Sequence, residues 1–240
     1  MANRPARHST IYPTIGSAQN VACPKVISKK LPDPVGQKET GTSPPHPVGH
    51  QRPGSAAGIF TIGHSTRPLA EFIHLLQAHG ITRVVDVRTI PKSRHNPQFN
   101  KDTLPLALEQ ARVSYVHLAG LGGLRHTQRD SPNQGWRNAS FRGYADYMQT
   151  PEFAQALDEV IRLARHDRIA LMCAEAVPWR CHRSLIADAL LVRGILAADI
   201  LSATRRQVHK LTPFAHVQGT QITYPPEADV APAAGEIRDP

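Results

Sequence analysis

The sequence predicts one α/β domain over residues 58–224: a single Rossmann-like three-layer domain with a mostly parallel sheet, flanked by disordered tails. Within this range, short apolar runs typical of buried strands alternate at least four times with amphipathic helical segments. Such alternation favours right-handed βαβ crossovers, with helices covering both faces of the sheet. The two flanking segments lack the apolar residues that a core requires.

The first half of the domain begins with a strand at 58–64 (GIFTIGH), an apolar run bounded by glycine. The next segment, 68–79, places Leu69, Phe72, Ile73 and Leu76 on one helical face, and Gly80 ends this helix. A second buried strand follows at 83–88 (RVVDVR), then a helix at 101–112 and a third strand at 114–118. A long Gly-rich loop is predicted after the third strand.

The second half begins with a helix capped by Thr150, with Pro151 at its first position, where a missing N–H costs nothing. This helix extends to about residue 166, and the apolar run 168–173 (RIALMC) is the fourth strand. A helix at 181–193 ends at Gly194, and two further strand candidates lie at 199–203 and 207–211.

Both ends of the chain are predicted to be disordered. Residues 1–57 contain nine of the 21 prolines and carry a net charge of +5, and residues 225–240 carry −3. The remaining +7 belongs to residues 58–224, so the folded part is itself basic. A basic domain favours anionic partners, either a small molecule such as a nucleotide or phosphorylated metabolite, or nucleic acid. The alternative is charge that serves only solubility.

The predicted location is the cytoplasm. Cys23, Cys173 and Cys181 do not form the pattern of a secreted disulfide framework, which fits a reducing compartment. No apolar run approaches the roughly 20 residues of a membrane span, and the N-terminus lacks the apolar core of a signal peptide. The sequence therefore predicts no membrane partner, and it defines neither a cofactor nor an oligomeric state.

Polar residues collect where the predicted strands end. Because ligands of open parallel sheets bind beyond the carboxyl ends of the strands, these residues are the site candidates. The predicted catalytic residues are His64, Asp86, Glu175 and Cys181. The predicted substrate-binding residues are Ser65, Arg88, Arg94, His182 and Arg183.

Cys181 is the candidate nucleophile. It lies near a predicted helix N-terminus, next to His182 and Arg183, and this surrounding positive charge favours a thiolate. The alternative is a cysteine packed under the helix. Glu175 is expected to face the cleft, where it pairs with Arg183 or Arg88 or acts as a general base.

Asp86 alternates with Val85 and Val87 in a buried strand, so an ionised carboxylate there needs a partner. Arg88 or a backbone N–H of the first loop would serve, and Asp86 is then as much architectural as catalytic. Cys173, Cys181, His182 and His64 are of types that bind zinc. However, seven residues separate the two cysteines and no CxxC pair is present, so no metal site is predicted.

The loop over residues 120–147 combines arginines with aromatic residues, a composition suited to stacking on bases and pairing with phosphates. Its aromatic members are Trp136, Phe141, Tyr144 and Tyr147. Such a loop is either a lid or binding surface, or an exposed and partly ordered insertion. The GLGG segment at 120–123 is not a dinucleotide fingerprint, because the spacing and the following helix are missing.

Five segments resemble the family known as domain of unknown function 488. They are TIGHS at 61–65, DVR with the following Pro and Ser at 86–93, LGG at 121–123, FRGYADYM at 141–148, and CAE…CHR at 173–183. They occur in order across residues 59–212. The resemblance implies a compact α/β domain in which the Cys-x-Glu and Cys-His-Arg segments are hallmarks, and it implies no reaction.

Three functions compete on this basis. The first is an enzyme acting on a phosphate-bearing or nucleotide-like substrate, with Arg88, Arg94 and Arg183 holding the anion. The second is a nucleic-acid-binding module that uses the basic aromatic loop and the N-terminal tail. The third is a redox or metal sensor built on Cys173 and Cys181. Cysteine, histidine and glutamate at buried strand ends favour the enzyme, because a plain binding surface does not need them.

Overall fold

A computed structural model describes residues 58–226 of the chain. The tails predicted at 1–57 and 225–240 lie outside this range except for Pro225 and Pro226, and their disorder stays a prediction. Within the described range, no helix is long and apolar enough to cross a bilayer.

Five helices and eight strands make up the described part, with three short 3-10 turns between them. In chain order they are β1 (Ile59–Gly63), α1 (Leu69–Ala78), β2 (Arg83–Asp86), α2 (Leu104–Gln110), β3 (Ser114–His117), α3 (Ala139–Tyr147), α4 (Pro151–Ala164), β4 (Ile169–Cys173), α5 (Arg183–Leu191), β5 (Ala197–Ile200), β6 (Arg206–Val208), β7 (His216–Gln218) and β8 (Gln221–Thr223). The predicted cap of α4 is present, since the Thr150 hydroxyl accepts a hydrogen bond from the backbone N–H of Phe153.

The sheet confirms the predicted fold class. Its six strands lie in the order β3-β2-β4-β1-β5-β6. The first five are parallel to one another, and only β6 is antiparallel to its neighbour β5. Strands β7 and β8 form a separate two-stranded hairpin.

Two apolar cores cover the sheet, one on each face. Alternate strand residues point to opposite faces, so Ile59 packs into one core and Phe60 into the other. Helices α1 and α2 contribute to the core that contains Phe60, whereas α3, α4 and α5 contribute to the core that contains Ile59. The protein is therefore a three-layer sandwich.

The connections around β4 create the crevice that a ligand needs. Strand β4 lies between β2 and β1, and both of those strands continue into helices on the α1/α2 face. Strand β4 instead continues into α5 on the opposite face. Because chains leaving neighbouring strands diverge to opposite faces, a crevice opens beyond the carboxyl end of β4, where Cys173 lies.

Two predictions of the connecting segments were wrong. The predicted loop 120–147 contains helix α3, which begins after Asn138, whose side chain accepts a hydrogen bond from the N–H of Ser140. The helix predicted from residue 181 begins at Arg183, after a 3-10 turn at Pro178–Arg180. The hairpin of β7 and β8 was not predicted, since its strands have only three residues each.

Candidate active site

Two cysteine thiols and an imidazole meet beyond the end of β4. Cys173 is the last residue of β4, and Cys181 precedes α5 after the 3-10 turn. The ring nitrogen Nδ1 of His182 lies 3.7 Å from the Cys181 sulfur and 4.0 Å from the Cys173 sulfur. All three side chains line a cavity of about 520 Å³.

Arg183 is the charged residue closest to these thiols. It is only 1% exposed, and its Nε donates a hydrogen bond of 3.2 Å to the Cys181 sulfur. Its other two nitrogens donate to the Thr61 hydroxyl at 3.0 Å and to the Glu175 backbone carbonyl at 2.6 Å. Within residues 58–226 no carboxylate forms a salt bridge with Arg183. A buried guanidinium requires a counter-anion, and Cys181 is the ionisable group in direct contact with it.

The two thiols shift each other's pKa in opposite directions. The interaction with Cys173 lowers the pKa of Cys181 well below its ordinary value, and His182 and the charge of Arg183 act in the same direction, against burial. The interaction with Cys181, followed by burial, raises the pKa of Cys173. Cys181, which is in contact with Arg183, is therefore the more acidic thiol of the pair.

The ring of His182 is fixed by its contacts. Its Nε2 lies 3.0 Å from the backbone carbonyl of Val87, which can only accept, so Nε2 carries a proton. Nδ1 consequently faces both sulfurs. Gly123 packs against this ring, and a Cβ there would lie 2.6 Å from Nδ1. The LGG segment therefore leaves space that His182 occupies.

A second polar cluster lies on the other face of the sheet, around Arg88. Its guanidinium forms two hydrogen bonds with the buried carboxylate of Asp86, at 2.9 and 2.6 Å, and a third with the carbonyl of Phe99 at 2.7 Å. The hydroxyl of Tyr115 also donates to Asp86 at 2.8 Å. Burial opposes the charge of Arg88, but the hydrogen bonds and charge of Asp86 outweigh it and raise the arginine pKa. Asp86 has the arginine partner that its burial requires.

His64 belongs to this second cluster. Its Nε2 lies 3.1 Å from an Arg88 nitrogen, which can only donate, and its Nδ1 lies 2.8 Å from the Ser65 carbonyl, which can only accept. The ring is therefore neutral, with its proton on Nδ1, and it stacks on Phe99 at 4.2 Å. Burial, the largest influence, lowers the His64 pKa to about 4. With its lone pair bonded to Arg88, His64 positions the arginine.

The remaining predicted residues occupy different places. Glu175 is exposed and lines the cavity, but its carboxylate accepts from the N–H of Val177 and does not pair with Arg88 or Arg183. Ser65 lines an adjacent cavity of about 400 Å³ together with His64 and Glu175. Arg94 is exposed and lines neither cavity. The structure therefore brings together the cysteines, His182, Arg183 and Glu175, and leaves Arg94 outside.

Two contributors, Thr61 and Arg180, were not predicted from the sequence. Thr61 accepts from Arg183 and donates to the carboxylate of Asp199 at 2.5 Å, so it connects the two residues. Arg180 is exposed, lines the larger cavity and forms no salt bridge within the described range. A threonine facing inward in an otherwise apolar strand was the available signal for Thr61. Arg180 carried none beyond its proximity to Cys181.

Cys173, Cys181 and His182 are also the metal donors that the site offers. The sulfurs of Cys173 and Cys181 and a His182 ring nitrogen lie within 4.8 Å of one another, and two cysteines with one histidine can hold zinc with an open fourth position. Both thiols would have to lose their protons, and the positive charge of Arg183 lies against one of them. These three donors can bind a thiophilic metal ion once both thiols have lost their protons. Without a metal, a single thiolate at Cys181 already has a charged partner in Arg183.

The aromatic residues predicted to form a binding surface differ in their burial. Tyr144 is fully buried, with its hydroxyl bonded to the carbonyl of Leu121. Trp136, Phe141 and Tyr147 are half-buried: Trp136 packs against Phe141 and Phe214, and Arg125 lies 3.6 Å above the ring of Tyr147. Phe141 also lines the cavity that contains the two cysteines.

The family described as Domain of unknown function DUF488 matches residues 68–190. The matched range contains both cysteines, His182, Arg183 and the Asp86–Arg88 pair, and it begins after Thr61 and His64. No curated protein and no solved structure matches the chain.

Proposed function

The chain belongs to the DUF488 family, whose description states no activity, and we propose that it is an enzyme that uses Cys181 as a nucleophile. The substrate occupies the cavity of about 520 Å³ that both thiols line. This volume suits a small molecule.

One observation carries this proposal: the buried guanidinium of Arg183 contacts the sulfur of Cys181 and no carboxylate within the described range. A buried arginine that serves only structure is ordinarily paired with a carboxylate. Here the charge favours a thiolate, which is the reactive form of cysteine. Cys181 is only 4% exposed, and the surface that it exposes lines the cavity, where a substrate would meet it.

The charge at the rim favours an anionic substrate, of which a phosphate-bearing or nucleotide-like compound is one class. The arginines first expected to hold the anion are otherwise engaged, since Arg88 is bonded to Asp86 and Arg183 to protein acceptors. Arg180 is exposed at the cavity and forms no salt bridge with another described residue. We assign the anionic group of the substrate to Arg180.

The test is the pH dependence of alkylation by iodoacetamide at each cysteine. Trypsin cleaves after Arg168, Arg180 and Arg183, so that Cys173 and Cys181 fall on separate peptides for mass spectrometry. Cys181 is expected to react at pH values well below the ordinary thiol pKa of about 8.5, and Cys173 only above it. A Cys181 that reacts no faster than Cys173 at every pH contradicts the proposal.

The same alkylation measurement on two variants tests whether Arg183 activates Cys181. Arg183→Met removes the hydrogen bond to the thiolate, and the Cys181 alkylation rate near neutral pH should fall about ten- to hundredfold, the factor expected for roughly 1.5–3 kcal/mol of a charge-assisted hydrogen bond. Arg180→Met is the matched control, because this exposed arginine does not contact the sulfur in any hydrogen bond of the described residues. This variant loses the cleavage after residue 180, so both cysteines fall on the tryptic peptide 169–183, and fragmentation of that peptide in the mass spectrometer assigns the label. Equal rates in the two variants would show that Arg183 does not activate Cys181.

A further inference from the structure

The proposed function uses Cys181 as the nucleophile and assigns no role to the second thiol, Cys173. Cys173 and Cys181 line the same cavity, and their sulfurs lie within 4.8 Å of each other. An acyl or phosphoryl adduct on Cys181 is released by water and does not need a neighbouring thiol. A sulfur adduct, in contrast, is released when a neighbouring thiol attacks it.

We propose that Cys173 resolves the adduct on Cys181, so that the protein catalyses thiol–disulfide exchange with a small anionic disulfide. This inference rests on the proposed nucleophile and names its substrate class. Arg180 at the rim of the cavity holds a carboxylate of the disulfide. Glutathione disulfide is a suitable probe, because it is small, carries carboxylates and contains one electrophilic S–S bond.

The first step consumes the thiolate. The Cys181 sulfur attacks one sulfur of the substrate, a new S–S bond forms, and the substrate's own S–S bond breaks. The electron pair of that bond leaves with the departing half as a thiolate. Cys181 is then joined to the other half of the substrate as a mixed disulfide.

The second step uses the neighbouring thiol and imidazole. Nδ1 of His182 lies 4.0 Å from the Cys173 sulfur, and with Nε2 bonded to Val87 it is the ring nitrogen free to accept the thiol proton. The resulting Cys173 thiolate attacks the Cys181 sulfur, the internal disulfide forms, and the second half of the substrate leaves as a thiolate. Side-chain rotation must bring the sulfurs to the roughly 2.05 Å of a disulfide bond. The two electrons given to the substrate are those lost by the cysteine pair, and an added dithiol restores the reduced protein.

The second step also depends on Gly123, which packs against the ring of His182. A Cβ at this residue would lie 2.6 Å from Nδ1 of His182, the atom that receives the proton. Gly123→Ala should therefore displace the ring and slow the second step. The first step requires the Cys181 thiolate, which accepts a hydrogen bond from Arg183, so Gly123→Ala should slow it less than the second step.

The test treats the full-length chain with one equivalent of glutathione disulfide in a Cys23→Ser background, which removes the third thiol. The parent should release two glutathione molecules and contain a disulfide between the tryptic peptides 169–180 and 181–183. Cys173→Ser should release one glutathione and retain a glutathionyl group on Cys181. Cys181→Ser should react at least about tenfold more slowly, because its remaining thiol is protonated.

His182→Gln distinguishes proton transfer from Cys173 from the structural hydrogen bond that His182 makes with Val87. The amide nitrogen of glutamine can still donate to the Val87 carbonyl, but it cannot accept a proton as Nδ1 does. The mixed disulfide should then accumulate before the internal disulfide forms, while iodoacetamide alkylation of Cys181 changes less than the resolution rate. Circular dichroism confirms that each variant is folded.

Several outcomes overturn this inference, and they distinguish its failure from that of the proposed nucleophile. A parent protein that keeps the glutathionyl group shows that Cys173 does not resolve it. A Cys181→Ser variant that forms the adduct as fast as the parent reverses the order of the two thiols. Absence of reaction with glutathione disulfide, together with fast iodoacetamide alkylation of Cys181, excludes this substrate class and leaves the proposed function standing. Slow alkylation of Cys181 removes the proposed function itself.

Discussion

Two buried arginines lie at the same edge of the sheet, on opposite faces, and they have different counter-ions. Arg88 is 6% exposed and pairs with the carboxylate of Asp86, which also accepts from Tyr115. Arg183 is 1% exposed and contacts the sulfur of Cys181. Each face of the sheet therefore buries one guanidinium, but only one of the two has a permanent anion beside it.

The difference underlies the roles that we propose for the two arginines, one in the stability of the fold and one in the chemistry of Cys181. A carboxylate that loses its arginine must stay charged without a partner or take up a proton, which costs about 4 kcal/mol near neutral pH. A thiolate that loses its arginine takes up a proton at almost no cost, because its ordinary pKa is about 8.5. The Asp86–Arg88 pair thus stabilises the fold, whereas the Cys181–Arg183 pair stabilises a reactive state.

The largest expected effect is therefore on stability, at Arg88. Arg88→Met should lower the free energy of unfolding by about 3–5 kcal/mol, because Asp86 is left buried and unpaired. Arg183→Met should lower it by clearly less, because Cys181 becomes protonated. Urea unfolding near neutral pH measures both values.

A double variant is the control for this comparison. Asp86→Asn combined with Arg88→Met removes both charges and should regain part of the stability lost in Arg88→Met alone. If Arg183→Met were as destabilising as Arg88→Met, the two arginines would have the same structural role and the contrast would fail.

The next effect concerns pH and His64, which accepts from Arg88. Its pKa in the folded protein is about 4, below the ordinary value of 6.5, so the unfolded chain takes up a proton first as the pH falls. The contribution of His64 is therefore fully present above pH 6.5 and is lost as the pH decreases towards 4, by up to about 3 kcal/mol.

His64→Gln isolates this contribution, because glutamine keeps an acceptor for Arg88 and does not titrate. The difference in unfolding free energy between the parent and this variant should change steadily across that pH window. A difference that is independent of pH would show that His64 is protonated alike in the folded and unfolded chains.

The smallest effect is expected at Thr61, whose hydroxyl accepts a hydrogen bond from Arg183. Thr61→Val removes this hydrogen bond to the guanidinium, and the Cys181 alkylation rate should fall by a few-fold, equivalent to about 0.5–1.5 kcal/mol. Thr61→Ser keeps the hydroxyl that bonds Arg183 and Asp199 and should react like the parent. An equal loss in both variants would show that the hydrogen bond to Arg183 is not the cause, because Thr61→Ser keeps it.

The sequence predicted those parts of the molecule that depend on local pattern. The order of strands and helices followed from apolar periodicity, and the need of Asp86 for a partner followed from its place between Val85 and Val87. Cys181 was expected near the start of a helix, as it is. Helix α3 was not predicted, because its aromatic residues pack against rings from other segments, such as Phe153 and His182.

The effect of Arg183 on the Cys181 thiol was expected from their proximity in sequence, but the other partners of the site residues could not be predicted, because they depend on contacts between distant positions. Arg183 was expected to bind substrate, yet its three nitrogens are bonded to Cys181, Thr61 and the Glu175 carbonyl. Thr61 is 122 residues away in sequence, and no local pattern connects the two. Likewise, the carboxylate of Glu175 accepts a hydrogen bond from the N–H of Val177 and does not pair with an arginine, because the conformation of its loop directs it there.

Because Arg183 has no carboxylate partner among the described residues, it should also affect how easily a Cys173–Cys181 disulfide is reduced. Among the described residues, Cys181 is the only ionisable group that accepts a hydrogen bond from Arg183, which is 1% exposed. Joining Cys173 to Cys181 therefore leaves the guanidinium with neutral hydrogen-bond acceptors alone. Stabilising the reduced form in this way raises the reduction potential of a dithiol. The pair should consequently act as a comparatively strong oxidant towards external thiols, and in a compartment buffered by glutathione it should return to the dithiol after every turnover.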